Sequence, residues 1–364
     1  MKAEGLWSKL CVFALLSCLL LQFPLAIYSP ALARPSLHRM TTARHTRPAI
    51  FITDLDRYSD DAVALLMLLR SRAFDIKGII TNAGNVCAGD AAQFTRALLQ
   101  SVGAPPLTVI EGPPLSSYAE RRRVYLEQEQ PSWTRKDAYV GAFASAKPCT
   151  SEDTNSTASP TAAADFLIAT AKKNAGRLVV IHASPATVIA QALKKEPGLA
   201  TMLAHIYVMG GNLDVPGNVS PDAEFNVWFD PDGMAELFRS GAHITLVPLD
   251  ATNEVTYHPA SMGNLGAGGP GAQYLARYLE FRHAATRKVP MWDEVTAAIA
   301  IDPAVVSRAS ERFLAVSTAK DAHYGRVSIL HAAHHASRRP IRVVGRVDAS
   351  MVRALLSRLV VDKP

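Results

Sequence analysis

The chain has 364 residues, of which 49% are hydrophobic and 19% are charged, and its formal net charge is +6. This length is enough for one large α/β domain or two smaller ones. The basic residues are scattered except at Arg121–Arg123 and Arg338–Arg339, without interleaved aromatic residues, so a nucleic-acid-binding protein is not indicated.

Residues 1–33 have the pattern of a secretory signal peptide. Two lysines come first, residues 10–28 are almost wholly apolar, and Ala31-Leu32-Ala33 is a small-x-small cleavage sequence. We therefore expect cleavage after Ala33 and a secreted or periplasmic protein with no membrane attachment after cleavage. Because the apolar run is long for a signal peptide, an uncleaved membrane anchor is the alternative.

Cleavage at this point leaves two cysteines, Cys87 and Cys149. In an oxidising compartment the two side chains could form a disulfide bond. Two separate buried thiols fit the sequence equally well, so the sequence leaves the pairing open.

Short β-branched runs alternate with stretches of helical period in the rest of the chain. Strands are predicted at residues 50–53, 76–81, 107–111, 178–182, 205–209, 244–248 and 341–347. Helices are predicted at residues 62–69, 90–101, 161–174, 185–194, 231–240, 274–287 and 295–300. The alternation predicts a single α/β domain over residues 34–364, with a mostly parallel central sheet and helices on both faces. In such a sheet, ligands bind beyond the carboxyl ends of the strands.

Residues 116–160 interrupt this alternation. The segment is polar, carries several aromatic residues and ends in a loose run of serine, threonine and acidic residues. Long insertions of this kind are usually lids over a site or mobile surface loops, and we expect one of these two here.

The most informative segment is residues 52–65, where four aspartates, Asp54, Asp56, Asp60 and Asp61, follow a predicted strand. Ser59 is a good N-cap, and Asp60 and Asp61 then lie in the first helical turn, where the helix dipole favours negative charge. An acidic helix start does not explain Asp54 and Asp56. Four carboxylates at one turn repel one another unless a cation lies among them, and oxygen ligands suit Ca²⁺ or Mg²⁺.

Polar residues follow the other predicted strands as well. They are Asn82 and Asn85, then His182 to Thr187, then Gly210-Gly211-Asn212 with Asn218, Glu224 and Asn226, then Asp250, and finally Trp292-Asp293 before a helix. Each group alone has an ordinary explanation as a turn or a cap. Together they place carboxylates, amides and carbonyls around one sheet edge, which suits a cation and a polyhydroxylated ligand.

In this order, the motifs D-x-D-x-x-x-D-D, A-G-N-V, S-P-x-T, M-G-G, G-N-V, E-F-N and W-D resemble the inosine–uridine nucleoside hydrolase family. The resemblance runs from about residue 50 to residue 303, with a weaker C-terminal strand and helix. It implies the Rossmann-like nucleoside hydrolase fold. It also implies calcium-dependent hydrolysis of the N-glycosidic bond of ribonucleosides to base and ribose, through an oxocarbenium-like transition state, as in purine and pyrimidine salvage.

The resemblance also implies roles for single residues. Asp56 is expected to be a calcium ligand and the catalytic base that activates a metal-bound water, with Asp61, Asp293 and the backbone carbonyl of Ala183 as further ligands. Asp54 is expected to support them. The expected substrate-binding residues are Asp60, Asn85, Met209, Asn218, Glu224, Asn226 and Trp292. A nucleoside is the expected partner, and assembly into dimers or tetramers is compatible with the sequence.

Two departures from the family pattern affect the expected pocket. Arg57-Tyr58 stands where the family usually has Pro-Gly, and Trp292 stands where the purine-cleaving members carry a histidine that assists the leaving base. The histidines that could substitute are His182, His258, His283 and His323. Alternatively, aromatic side chains stack on the base.

Two other functions fit parts of the sequence. A haloacid-dehalogenase-type phosphohydrolase also begins with D-x-D after a strand, but the threonine or valine and the later Gly-Asp-x-x-x-Asp that it needs are missing. A calcium-dependent ribose- or nucleoside-binding protein with weak or no turnover would keep the same ligands. The presence of Asp56 argues against it, because a pure binding protein needs no base.

Overall fold

The β-branched runs form the strands of one mixed sheet. The computed structural model describes residues 46–113, 159–257, 265, 268–283, 289–330 and 339–361, all within one compact unit, Arg44–Pro364. Its strands are β1 (Arg47–Thr53), β2 (Phe74–Thr81), β3 (Val109–Glu111), β4 (Leu178–Ala183), β5 (Leu203–Met209), β6 (Ile244–Val247), β7 (Val306–Val316), β8 (Val327–Leu330) and β9 (Ile341–Val347).

The sheet is mostly parallel, as predicted. Its strand order is β3-β2-β1-β4-β5-β6-β9-β7-β8. Strands β1 to β6 and β9 pair in parallel, whereas β7 runs antiparallel to both of its neighbours. The carboxyl ends of the parallel strands therefore meet at one edge, which is where ligands bind in sheets of this kind.

Helices cover both faces of the sheet. They are α1 (Asp60–Ser71), α2 (Ala88–Ser101), α3 (Ala162–Lys173), α4 (Thr187–Lys195), α5 (Leu199–Met202), α6 (Phe225–Phe229), α7 (Pro231–Arg239), α8 (Leu249–Thr252), α9 (Pro270–His283), α10 (Asp293–Ile301) and α11 (Ala349–Leu356). Alternate residues of β1 point to opposite faces. Phe51 therefore packs in a core with α1 and α10, and Ile52 packs in a second core with α3, α4 and α7.

Strands β7 and β8 were not predicted. Leu314 is the only residue of β7 that is fully buried, and most of the strand is exposed or half-buried. A strand at a solvated sheet edge lacks the apolar run or strict alternation on which a sequence prediction depends. The short helices α5, α6 and α8 were missed because four or five residues are too few to show a helical period.

Several expectations fall outside the described residues. They are the signal peptide at residues 1–33, the insertion up to residue 158, and Cys149. Cys87 is disulfide-bonded, and the chain's other cysteines lie outside the described residues. Within the described ranges, no helix has both the length and the apolar character needed to cross a bilayer.

Candidate functional site

The ends of β1, β2 and β4 lie side by side at the carboxyl edge. Thr53, the last residue of β1, is in register with Thr81 on one side and with Ala183 on the other. The aspartates after β1 and the amide-rich turn after β2 therefore reach the same place, and the predicted Ala183 carbonyl belongs to the strand next to them. Parallel pairing thus brings together groups that are far apart in the sequence.

A pocket opens to solvent at this edge, the position at which ligands bind in parallel sheets. Its described lining residues are Asp54, Asp56, Tyr58, Ser59, Asp60, Asn85, Met209, Asn218, Glu224, Phe225, Asn226, Phe281, Arg282, Trp292 and Asp293. Every substrate-binding residue expected from the sequence is in this set. Asp61 and Ala183 are outside the lining, and Asp61 is fully buried beneath it.

Three carboxylates crowd together at the base of the site. Asp60, Asp61 and Asp293 each offer an oxygen, and these oxygens lie within 4.8 Å of one another. Burial and the charge of Asp60 raise the pKa of Asp61 to about 7. Burial, followed by the charges of Asp60 and Asp61, raises the pKa of Asp293 well above its ordinary value. This carboxylate cluster, made of Asp60, Asp61 and Asp293, is unfavourable when all three side chains are ionised, and it could hold a metal ion.

The carboxylate cluster differs in one member from the carboxylate ligands of the metal that were expected from the sequence. It includes Asp60, which was assigned to the sugar, and it leaves out Asp56. Asp56 lines the same pocket, but its Oδ1 accepts a hydrogen bond from the backbone N–H of Arg57 at 2.5 Å. Burial raises the pKa of Asp56. Its expected roles as metal ligand and base stay predictions.

Hydrogen bonds hold the carboxylates from behind. The Thr53 hydroxyl donates to Asp61 Oδ1 at 2.5 Å. The backbone N–H of Asn85 donates to Asp54 Oδ2 at 2.7 Å, and the Asn85 side-chain amide donates to Asp61 Oδ2 at 3.3 Å. Asp54 therefore links the first two turns of the site, and its expected role in supporting the metal ligands stays a prediction.

Ser59 occupies the N-cap position of α1, but its side chain makes no capping bond. Its hydroxyl instead bonds to the backbone of Asp56, accepting from the N–H at 3.2 Å and donating to the carbonyl at 3.3 Å. The Ser59 N–H donates to the Tyr274 hydroxyl, and that hydroxyl donates to the carbonyl of Arg57 at 2.9 Å. Helix α9 is thereby tied to the acidic turn, a connection that the sequence did not reveal.

Glu224 fixes the opposite wall of the pocket. Its carboxylate accepts hydrogen bonds from the backbone N–H groups of Gly211 at 2.8 Å, Asn226 at 2.9 Å and Val227 at 3.2 Å. Burial raises the pKa of Glu224 to about 7. Asn218 Oδ1 accepts the N–H of Phe225 at 2.9 Å. The Glu224 side chain therefore joins the glycine turn after β5 to the start of α6.

The unpredicted strand β8 packs against that glycine turn. Gly211 has a φ of +75°, and a β-carbon added there would come 3.0 Å from a methyl group of Val327. Glycine suits both the backbone conformation and the close approach. The edge of the sheet that the sequence missed thus helps to shape the site.

One end of the pocket is aromatic and contains a cation. The rings of Tyr58 and Phe281 are 6.0 Å apart, and the Arg282 guanidinium carbon lies 5.5 Å from the ring centre of Trp292. The Trp292 indole N–H donates to Asn253 Oδ1 at 2.9 Å. Phe281 and Arg282 were not predicted as site residues, because nothing in the sequence of α9 separates Arg282 from an exposed arginine such as Arg277.

None of the histidines proposed to assist the leaving base lines the described part of the pocket. His182 is fully buried, and burial lowers its pKa to about 3, so it is neutral. His323 pairs with Asp222 on the surface. His258 and the side chain of His283 lie outside the described residues.

The chain is similar to known proteins in sequence and in fold. The sequence profile of a family described as inosine-uridine preferring nucleoside hydrolase matches residues 51–354. Probable uridine nucleosidase 1 of Oryza sativa subsp. japonica is 29% identical over 233 residues, which are 63% of this chain and 68% of that protein. Pyrimidine-specific ribonucleoside hydrolase RihA of Salmonella enteritidis PT4 is 28% identical over 233 residues, 63% of this chain and 70% of that protein.

Solved structures share the fold. The plant nucleoside hydrolase PpNRh1 matches with a TM-score of 0.70 at 24% identity, covering 86% of this chain and 99% of that one. An inosine-uridine preferring nucleoside hydrolase from Bacillus anthracis matches with a TM-score of 0.66 at 19% identity, with the same coverage. At these identities the likeness concerns the fold, and it agrees with the predicted Rossmann-like architecture.

Proposed function

Because the chain belongs to the inosine-uridine preferring nucleoside hydrolase family, whose members are hydrolases acting on N-glycosidic bonds, we propose that it cleaves ribonucleosides to base and ribose with the help of a bound calcium ion. The observation that carries this proposal is the carboxylate cluster of Asp60, Asp61 and Asp293 at the base of a pocket lined by amides. Such a pocket suits the hydroxyl groups of a sugar and a hard cation together.

The donor set fits calcium. Buried carboxylates that repel one another are stabilised by a cation, and all of the donors here are oxygens, which hard cations prefer. Asp61 and Asp293 would hold the ion, joined by Asp56 and the carbonyl of Ala183. Calcium takes about six to eight oxygens, so positions remain for sugar hydroxyl groups. When bound, the ion neutralises the carboxylates and acidifies the attacking water.

Asp56 is proposed as the base that takes the proton from that water. It faces the pocket, and its pKa is raised by burial, which brings the carboxylate closer to the proton affinity that general-base catalysis requires. The Ser59 hydroxyl accepts the backbone N–H of Asp56, and the Arg57 N–H donates to the Asp56 carboxylate. The residue is therefore positioned by its own turn.

The sugar is proposed to lie between the acidic turn and Glu224. Asp60 and Asn85 line one side of the pocket, and Asn218 and Asn226 line the other. The hydrogen bonds of Glu224 to three backbone N–H groups fix the second side before a ligand binds. Positive charge develops on the sugar as the glycosidic bond breaks, and the surrounding carboxylates stabilise it.

Uridine is the first substrate to test, because relatives are named uridine nucleosidase and pyrimidine-specific ribonucleoside hydrolase. Purified protein should release ribose from uridine at a rate proportional to enzyme concentration, and a panel with cytidine, inosine and adenosine would rank the bases. Binding of uridine without release of ribose would contradict hydrolysis and favour a nucleoside-binding protein.

We also propose that the protein is exported and that residues 1–33 are removed. The support is the lysine-flanked apolar run followed by Ala31-Leu32-Ala33. N-terminal sequencing of the exported protein should begin at Arg34. Recovery of the intact N-terminus in the membrane fraction would instead identify an anchor.

A further inference from the structure

The proposed reaction requires something to stabilise the leaving base. When the bond between the sugar carbon and the base nitrogen breaks, its electron pair goes to the base, which is a poor leaving group unless an acid or a cation assists it. The described lining of the pocket contains no histidine and no lysine, and Arg282 is its one cationic side chain.

Arg282 is held inside the site. The residue is 8% exposed and belongs to the last turn of α9, which the Tyr274 hydroxyl ties to the acidic turn. Its guanidinium lies over the Trp292 ring. Burial raises the pKa of Asp60, and the charge of Arg282 acts in the opposite direction. The charge of Arg282 is therefore felt by Asp60 on one side, and its guanidinium contacts the Trp292 ring on the other.

Two other polar side chains of the lining are held by hydrogen bonds. Trp292 donates its indole N–H to Asn253, and Glu224 accepts from three backbone N–H groups. Tyr58 and Phe281 form an aromatic wall at the same end, and such a wall suits the flat face of a base. Arg282 is the cationic side chain of the described lining, so its charge can meet negative charge on a base lying against this wall.

We propose that Arg282 is a catalytic residue that stabilises the departing base as an anion, through N–H donors directed at a carbonyl oxygen of the base. This inference rests on the proposed function. The electron pair of the broken bond goes to the base, the water oxygen bonds to the sugar carbon, and the water proton goes to Asp56. The base then takes a proton from solvent, because arginine stays charged and does not give one up. Bases whose anion places charge on a carbonyl oxygen, such as uracil and hypoxanthine, are favoured over adenine.

The test compares two leaving groups in Arg282→Gln. Uridine needs help to release its base, whereas nitrophenyl riboside releases a stable anion without help. The uridine kcat should fall by about 100-fold or more, the loss typical of removing one anion-stabilising donor. The kcat for nitrophenyl riboside should change much less. Arg277→Gln, an exposed arginine of the same helix, is the matched control and should leave both rates unchanged.

Equal losses on both substrates would show that Arg282 acts on the shape or charge of the site, and would overturn the inference alone. An unchanged uridine rate would overturn it as well. Arg282→Lys keeps the charge, and it should retain more uridine turnover than the glutamine variant while showing the same contrast between substrates. If the unmodified protein releases ribose from neither substrate, the proposed function fails first.

Discussion

Gly84 lies directly against the carboxylate of Asp54. A β-carbon added to Gly84 would come within 2.0 Å of Asp54 Oδ2 and within 2.7 Å of its Cγ. The next residue, Asn85, donates its backbone N–H to the same oxygen. The turn after β2 can therefore close on the acidic turn only because residue 84 has no side chain.

Gly84→Ala should separate the two turns. The added methyl group forces either Asp54 or the Asn82–Asn85 turn to move, and Asn85 would then lose its bonds to Asp54 and Asp61. We expect a large loss of uridine turnover and weaker calcium binding, measured by ribose release and calorimetry. Gly269→Ala is the control, because a β-carbon there meets nothing within 4 Å. Normal activity in Gly84→Ala would contradict this close contact.

Thr53→Val tests the support behind Asp61. The substitution keeps the shape of the side chain and removes the hydroxyl that donates to Asp61 Oδ1. Loss of such a partner behind a metal ligand typically costs about 10–100-fold in metal affinity, and we expect calcium affinity to fall by that amount. Thr95→Val removes a buried hydroxyl that bonds only to a helix carbonyl, and it should leave calcium affinity unchanged.

Asp56→Asn tests the proposed base. The amide keeps the size of the side chain but cannot take a proton, so kcat should fall by about 10²–10⁴-fold. In metal-free protein the melting temperature should be unchanged or slightly higher, because burial already disfavours the Asp56 carboxylate. Asp75→Asn, which removes an exposed carboxylate from an ion pair with Lys77, serves as the control. Near-normal turnover in Asp56→Asn would exclude the base assignment.

The carboxylate cluster of Asp60, Asp61 and Asp293 makes the stability of the metal-free protein depend on pH. The pKa of Asp61 is raised from 3.8 to about 7, so the folded protein binds an extra proton between these values and loses stability as the pH rises through them. Calcium replaces that proton. Saturating calcium should therefore raise the melting temperature by about 5 °C or more at about pH 8, and by less at about pH 5.

Thermal unfolding with and without calcium at the two pH values would measure this difference. Asp61→Asn should reduce both the pH dependence of the metal-free protein and the effect of calcium. An equal rise in melting temperature at both pH values would show that calcium does not bind at these carboxylates.

The sequence predicted the interior of the fold better than its edge. Strand β9 was predicted at its observed bounds, and β1, β2 and β4 were predicted within a few residues, because buried parallel strands read as apolar runs. Strand β7 has no such run. The residues that meet at the site were predicted because polar groups follow these strands. Arg282 was not predicted as a site residue, because its burial depends on how α9 packs over the acidic turn. Local sequence does not encode that contact.

The assignment within the acidic turn shows the same limit. Four aspartates in the sequence indicated a cation, and the structure brings Asp60 and Asp61 together with Asp293, which is more than two hundred residues away. The sequence alone could not decide which side chains point together, because that depends on backbone turns such as the one in which Asp56 accepts the Arg57 N–H.

The most direct test of the account is ribose release from uridine by protein that has been stripped of metal with a chelator and then given back either calcium or magnesium. The account predicts negligible release by the stripped protein, full recovery with calcium, and little recovery with magnesium, which demands a smaller and more regular set of ligands. Full activity in the stripped protein would contradict the central claim that calcium at these carboxylates is required for hydrolysis.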